Sequence, residues 1–244
     1  MALTDNLVSY WKLDESSGNA ADSTASANTL TNNNTATFNT GVINNGAYLV
    51  RASAQNFSRA DNASLSITGD LSIAGWFYYT NFTTDGNGEW IVGKWADTGN
   101  QRGYLMNTLN SGDTFRLILS TNGSDFPLVS IAGLALLTGT WYHLAFTFLA
   151  SSGAVKFYKN GSQVGTTQTI SAGSIFDNTA NFRVGWSDNG NADTYLNGRV
   201  DEVGIWSREL SSSEISQLYN GGAGLSYPFT STGGNNLSAL LGVG

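Results

Sequence analysis

The stretch WYHLAFTFLASSGAVKFYKNGSQV, residues 141–164, decides the fold of this chain. Leu144, Phe146 and Phe148 stand at every second position and alternate with smaller residues. Such period-two alternation predicts a β-strand with one apolar face. Residues 155–159 predict a second strand, and Asn160-Gly161 predicts the tight turn that leads into a third at 162–164. Asn-Gly readily supplies the two positive φ angles of a type I′ hairpin turn.

Similar patterns recur along the chain. Residues 71–77 and 115–119 also alternate between large apolar and other side chains. The 29 glycines, with only two prolines and many Asn, Ser and Thr residues, indicate short strands joined by polar turns. One helix is predicted, because residues 211–214 have capping-box spacing, residues 215–219 repeat at helical spacing and Gly221-Gly222 follow. The sequence therefore predicts an all-β fold, a two-sheet antiparallel β-sandwich, with one short helix near the C-terminus.

Composition and charge restrict the partners of the chain. The formal net charge is −7 and only 12% of the 244 residues are charged. A nucleic-acid partner would need a basic stripe, and an anionic membrane surface would need basic clusters, so we expect neither partner. With no cysteine, thiol catalysis and cysteine-ligated metal sites are excluded. No leader peptide and no apolar run of about 20 residues is visible, so we expect no membrane insertion.

Five ordered segments resemble the laminin-G-like jelly-roll family of the concanavalin A-like lectin and glucanase superfamily. They are residues 7–23, 41–49, 71–76, 139–161 and 196–222. The resemblance implies one jelly-roll domain over residues 1–229, followed by a Gly/Ser/Asn tail at 230–244 that is either loose or a docking segment. It also implies two sheets packed face to face and the binding of glycans or proteins at the concave face or rim.

The same resemblance implies a structural calcium ion in many members. It would join an N-terminal loop to a strand near the C-terminus, and here its ligands map onto Asp22, the carbonyl of Gly46, and Asp201. Calcium prefers six to eight oxygen ligands of these types. The alternative is that Asp22 and Asp201 only make hydrogen bonds in turns.

Candidate ligand-binding residues lie in the long polar loops. Flat aromatic rings stack on the apolar faces of sugars, which makes Trp186, Tyr195 and Trp90 candidates for a glycan site. Asp188 and Asn191 belong to a polar loop that would border such a site. The alternatives are that the aromatic residues are buried in the core and that the loop is a solvated turn.

Catalysis is not expected. Glycoside hydrolysis needs two carboxylates across one bond. The acidic residues are scattered, and Asp201 and Glu202 are adjacent, so alternation predicts that they point to opposite faces of a strand. The only histidine, His143, lies within a strand pattern and is expected to be structural.

The sequence leaves three alternative functions for the chain. The first is a non-catalytic carbohydrate-binding or adhesion module, stabilised by calcium, whose partner is a glycan or a surface glycoprotein. The second is a structural, decoration or display protein of a virion or other surface assembly, because the chain starts with Met, shows no leader and ends in a short apolar segment. Both would act outside the cell, at a cell surface or on a virion surface. The third, a glycan-active enzyme, is disfavoured by the missing carboxylate spacing.

Overall fold

The computed structural model describes residues 1–84, 86–109, 111–171, 173–186 and 188–230. These residues form fifteen strands and one α-helix, α1 (Ser212–Tyr219). The strands in chain order are β1 (Leu7–Trp11), β2 (Thr31–Asn33), β3 (Thr37–Thr40), β4 (Asn45–Leu49), β5 (Asn56–Arg59), β6 (Leu71–Tyr79), β7 (Glu89–Ala96), β8 (Gln101–Leu109), β9 (Thr114–Leu119), β10 (Leu128–Ile131), β11 (Trp141–Leu149), β12 (Ala154–Lys159), β13 (Ser162–Thr169), β14 (Phe182–Val184) and β15 (Gly198–Trp206).

The strands build two antiparallel sheets. The eight-stranded sheet has the order β13-β12-β11-β6-β15-β4-β3, and β1 pairs with β15 beside this path. The seven-stranded sheet has the order β10-β9-β8-β7-β14-β5-β2. The predicted two-sheet antiparallel sandwich with one short helix near the C-terminus is confirmed.

The main core lies between the two sheets, where the predicted alternation places its large residues. Phe146 and Phe148 of β11 face Phe115 and Leu117 of β9 within one buried cluster, and the rings of Phe115 and Phe157 lie 5.0 Å apart. Each fully buried side chain of this size contributes roughly 1.5–3 kcal/mol to stability. The core thus holds the two sheets together without a disulfide.

The outer face of the eight-stranded sheet is also covered. Ile215 and Leu218 of α1 pack on Tyr158 and Trp206 in a second buried cluster. β6 is therefore buried on both faces, whereas the alternation predicted a half-buried strand. The helix accounts for this difference, because it covers the face that the sequence pattern assigned to solvent.

The hairpin and the helix cap form as predicted. Lys159 pairs with Ser162 across a turn in which Asn160 and Gly161 have φ angles of 51° and 78°. The Ser211 side chain accepts a hydrogen bond from the Glu214 N–H in a complete capping box. Apart from Thr230, the predicted tail at 230–244 lies outside the described residues. No helix of the described chain combines the length and apolar character needed to cross a membrane.

Candidate functional site

The outer face of the seven-stranded sheet is not covered by α1, which packs on the other sheet. Phe115 and Leu117 point into the core, so Arg116 between them points outward. Cross-strand pairing then places Arg116 opposite Asn107 of β8, and Asn107 opposite Trp90 of β7. These three side chains form a row across the strands, which lie about 4.8 Å apart.

A groove of about 270 Å³ lies along this row. Its lining is Asn87, Trp90, Trp95, Asp97, Arg102, Arg116, Ile118, Phe126 and Leu128. The rings of Trp90 and Trp95 meet edge to face, 6.4 Å apart, and form a floor in which they are 6% and 2% exposed. Phe126 and Leu128, at 59% and 44% exposed, form an apolar rim. The groove therefore combines aromatic, amide and charged groups that an oligosaccharide could contact.

The two arginines of the groove differ in their ion pairing. The Arg102 guanidinium donates to Asp97 at 2.9 Å, also bonds the Ser124 carbonyl, and lies 5.3 Å from the ring centre of Phe126. Arg116 donates from Nε to Asn107 Oδ1 at 3.0 Å and has no carboxylate partner among the described residues. Burial lowers the pKa of Arg116 below its usual value. Arg116 is thus a half-buried cation without a compensating anion.

Trp186 follows β14 at the other end of this face. Its ring stacks on Tyr195 with centres 4.6 Å apart and an interplanar angle of 1°. The guanidinium carbon of Arg183 lies 4.8 Å from the centre of the Trp186 ring. Trp186 is half-buried, whereas Tyr195 and Trp90 are 8% and 6% exposed, so the alternative of burial holds for Tyr195 and Trp90 but not for Trp186. Of the predicted aromatic residues, Trp186 presents the most accessible ring.

The loop after Trp186 is attached to the end of β7. The Asp188 N–H donates to the Trp95 carbonyl at 3.3 Å, and the Asp97 N–H donates to the Asp188 carbonyl at 2.9 Å. The Asn191 carbonyl accepts from the Trp186 indole at 3.4 Å. The loop therefore forms an ordered border beside Trp95, with the Asp188 side chain exposed. The structure places Asp188, Asn191, Trp186, Tyr195 and Trp90 on or beside one sheet face.

The predicted calcium ligands are only partly together. Asp22 Oδ1 accepts from the N–H groups of Tyr10 (3.0 Å) and Thr24 (2.9 Å), and Oδ2 accepts from the Thr24 hydroxyl (3.1 Å) and the Asn28 N–H (2.9 Å). An ionised carboxylate offers about four acceptor positions. Asp22 has all of them filled by hydrogen-bond donors, as the alternative interpretation expected.

Asp201 and Gly46 do lie side by side. A methyl group on Gly46 would come within 3.4 Å of Cβ of Asp201. Asp201 Oδ2 accepts from the N–H groups of Val42 (2.7 Å) and Ile43 (3.0 Å), while the buried Oδ1 has no partner among the described residues. No three His, Cys, Asp or Glu side chains of the described residues lie close enough together to hold a metal ion. Calcium binding therefore stays a prediction.

The prediction that Asp201 and Glu202 point to opposite faces is wrong. Pairing of β15 with β6 is interrupted between Asp201 and Gly204, and Glu202 has a φ of 51°. This β-bulge adds a residue and breaks the alternation. Asp201 pairs with Trp76, whose ring stacks on Tyr219 on the outer side of the eight-stranded sheet.

Glu202 lies on the same side. Its carboxylate is close to the hydroxyls of Tyr10 and Ser226, and burial raises the pKa of Glu202 to about 7. Burial likewise raises the pKa of Asp201 to about 8. The two residues are 4% and 0% exposed. Both carboxylates are therefore buried away from the surface.

His143 is packed among aromatic rings. It lies edge-on to Trp76, with centres 5.3 Å apart, and 6.3 Å from Tyr219. Burial lowers the pKa of His143 to about 3. The side chain is 2% exposed and therefore lies in the packed interior, where a structural histidine is expected.

Sequence reasoning missed Arg116 and Arg183, which lie on the outer face of the seven-stranded sheet without a carboxylate partner among the described residues. A signal for Arg116 was present, because the alternation at 115–119 already placed it opposite the core face. Arg183 stands in a three-residue strand that carried too little pattern to be assigned. The neighbours of these arginines come from other strands, which no local pattern shows.

A laminin-G family model, described as the concanavalin A-like lectin/glucanases superfamily, matches residues 51–216. The chain belongs to this superfamily. The laminin-G-like resemblance is thereby confirmed over residues 51–216, which include the segments 71–76, 139–161 and most of 196–222 as well as β5 to β15 and hence the groove. Direct comparison with curated protein sequences finds no match.

Solved structures of this superfamily fold are similar to the chain. Domain 4 of the extracellular arabinanase AbnA from Geobacillus stearothermophilus, solved with arabinotriose, has a TM-score of 0.63 and 21% identity, covering 86% of this chain and 97% of that one. The binding domain of Paraclostridial mosquitocidal protein 1 has a TM-score of 0.66 and 16% identity over 90% of this chain and 53% of that one.

The ligand-binding domain of botulinum neurotoxin serotype D, solved with N-acetylneuraminic acid, gives a TM-score of 0.66 and 15% identity over 89% of this chain and 51% of that one. The chain thus spans about half the length of the two toxin domains. At these identities the similarity shows the fold alone.

Proposed function

We propose that the chain is a non-catalytic carbohydrate-binding module that holds an oligosaccharide on the outer face of the seven-stranded sheet. The observation that carries this proposal is the groove lined by Trp90, Arg102 and Arg116, with Trp186 and Arg183 on the same sheet face at the next strand. The indole face of Trp186 suits the C–H faces of sugars, and the guanidinium groups can hydrogen-bond hydroxyls.

The alternative locations carry fewer of these features. A larger hollow of about 590 Å³ between residues 16 and 38 is lined by Ser, Gly, Asn, Thr and Ala with Phe38, and no charged side chain lines it. A third hollow, beside Met1 and Glu214, is lined by no aromatic residue. The groove on the seven-stranded sheet has both aromatic and charged groups.

Two structural relatives support this choice of ligand class. The arabinanase domain was solved with arabinotriose and the toxin domain with N-acetylneuraminic acid. A glycan or a glycoprotein outside the cell is the corresponding partner of this chain, at a cell surface or on another exposed surface.

A glycan microarray tests the proposal. The intact chain should bind a subset of oligosaccharides and leave them chemically unchanged, and Trp186→Ala should remove most of this binding. Trp141→Ala is the matched control, because Trp141 is also a half-buried tryptophan but contacts Tyr78 on the eight-stranded sheet. Equal binding by the two variants would contradict the proposed site, and cleavage of a bound glycan would contradict the non-catalytic role.

A structural or display role in a virion or other surface assembly is the second proposal. It depends on the apolar C-terminal segment, which lies outside the described residues. Size-exclusion chromatography with light scattering tests it, because deletion of residues 230–244 should convert an oligomer into a monomer. A monomeric full chain would contradict this role.

A structural calcium ion belongs to the carbohydrate-binding proposal. Its support is the unpartnered Oδ1 of Asp201 beside Gly46, an arrangement in which a cation would compensate a buried carboxylate. Since Asp22 is saturated by hydrogen bonds, the remaining ligands would come from backbone carbonyls and water.

A further inference from the structure

The seven-stranded sheet carries two arginines with uncompensated charge on its outer face. Arg116 makes one hydrogen bond, to an amide oxygen, and Arg183 donates to the amide oxygen of Asn56 at 3.1 Å. Neither has a carboxylate within ion-pair distance among the described residues. In addition, the Nε atom of Arg183 is buried and has no hydrogen-bond partner there.

Desolvation makes this arrangement unfavourable for the chain alone. Burial lowers the pKa of Arg183 as it does that of Arg116, and the charge of Asp188 offsets it only in part for Arg183. Buried guanidinium groups are usually paired with anions, because Arg presents a fork of donors that fits carboxylate, sulfate and phosphate oxygens. The two arginines therefore have unused donors directed at the same face.

Arg59 and Arg199 also have no carboxylate partner among the described residues. Arg59 stands on the core-facing side of β5, like Phe57, and Arg199 belongs to the eight-stranded sheet, whereas Arg116 and Arg183 share one outer face.

The net charge is −7, so an acidic partner for each arginine was not scarce in the sequence. Arg102, at the same groove, has such a partner in Asp97. Within the same groove, Arg102 therefore has an ion-pair partner, whereas Arg116 has none among the described residues.

The spacing of the two arginines defines the size of the ligand. β9 and β14 are separated by β8 and β7, so the backbones of the two arginines are at least three strand steps, or about 14 Å, apart. Arg183 is in register with Ile118, two residues along β9 from Arg116. The groove lined by Trp90, Trp95 and Arg116 begins at the β9 end of this span, and the half-buried Trp186 lies at the β14 end beside Arg183. A single sugar cannot span this distance, whereas an extended oligosaccharide lying across the strands can.

From this placement we infer that the site takes an acidic oligosaccharide, and that Arg116 binds its carboxylate or sulfate group while Arg183 binds a second polar or anionic group at the other end. This inference rests on the proposed carbohydrate-binding function and specifies its ligand. The guanidinium of Arg116 supplies parallel N–H donors to the anion, and the half-buried ring of Trp186 contacts a sugar ring.

Matched oligosaccharides test the inference. Isothermal titration of the intact chain is compared for uronic-acid-containing, sialylated, sulfated and neutral oligosaccharides of equal length. Binding of an acidic ligand should be at least tenfold tighter than that of its neutral counterpart and should weaken as salt is raised, because salt screens the charge pair. Comparison of the affinities for carboxylated and sulfated oligosaccharides identifies which of the two anions the site prefers.

Variants assign the preference to a residue. Arg116→Gln should lower affinity for the acidic ligand about tenfold while changing the neutral one less than about twofold, and Arg116→Lys should restore part of the loss. Arg199→Gln is the control, because Arg199 is also half-buried but packs against Tyr78 of the other sheet. A thermal melt of each variant confirms that it is folded.

The outcomes separate the two proposals. Equal affinity for acidic and neutral ligands, with loss of both in Trp186→Ala, would overturn the acidic preference and leave the carbohydrate-binding function in place. An acidic preference that persists in Arg116→Gln and disappears in Arg199→Gln would also overturn the inference. Failure of every oligosaccharide to bind would contradict the proposed function itself.

Discussion

The guanidinium of Arg183 lies 4.8 Å from the ring centre of Trp186, on the sheet face opposite the core. Cation–π contacts of this kind contribute about 0.5–2 kcal/mol, depending on how far they are desolvated. We expect Arg183→Gln and Trp186→Leu to show a coupling energy of about 1 kcal/mol in a double-mutant cycle measured by chemical denaturation. Strictly additive effects would show that the two residues do not stabilise each other.

Arg208 and Glu214 form the most buried ion pair at the helix, with Nη2 and Oε1 2.6 Å apart and both side chains less than 10% exposed. Burial opposes ionisation of Glu214, but hydrogen bonds from Arg208 and Ser211 outweigh it and lower its pKa to about 2. The pair therefore stabilises the fold above the unfolded pKa near 4.5, and this stability is lost as the pH falls through 2.

Glu214→Gln should accordingly lower the free energy of unfolding by about 3 kcal/mol at pH 7, because it leaves Arg208 buried without its anion. The difference from the unmodified chain should shrink at pH 3. Glu209→Gln is the control, since Glu209 pairs with Lys156 at a more exposed position. A difference that is independent of pH would contradict the role given to the Glu214 charge.

We expect His143 to give a second pH dependence of the free energy of unfolding, which arises from the lowered pKa of a buried base rather than of a carboxylic acid. Because burial lowers its pKa from 6.5 to about 3, the unfolded chain takes up a proton near pH 6.5 that the folded chain does not. Stability therefore falls as the pH is lowered between these values, by at most about 1.4 kcal/mol per pH unit. In His143→Phe this component should be absent, so the stability difference between variant and unmodified chain should change with pH over this range. A constant difference would show that folding does not lower the pKa of His143.

Calcium can be tested through stability alone. If an ion binds at Asp201, removal by a chelator should lower the melting temperature, because binding to the folded state adds stability by mass action. Asp201→Asn should abolish this response, whereas Asp193→Asn, at an exposed position, should keep it. An identical melting curve with and without chelator would contradict a structural calcium ion.

The fold could be predicted because its signals are local. Alternation at 144–148, the Asn160-Gly161 turn and the Ser211–Glu214 capping box each act over a few residues, and all appear in the structure. The covered face of β6 could not be predicted, because α1 reaches it from more than 130 residues away in the chain.

The site was predicted less completely for a physical reason. Trp186 and Trp90 were identified as candidates from their residue type. Arg116 could not be identified in this way, because its neighbours Asn107 and Trp90 lie on other strands. The β-bulge at Asp201–Gly204 changed the direction of Glu202 through a backbone conformation that the sequence alternation does not encode. Register and bulges are set by the packing of the whole sheet.

A crystal structure of the chain with an oligosaccharide that it binds tests the central claim most directly. The account predicts that the sugar lies across β9, β8, β7 and β14, with a ring against Trp186 and a polar group on the Arg116 guanidinium. An oligosaccharide bound on the eight-stranded sheet, or in the hollow between residues 16 and 38, would contradict it.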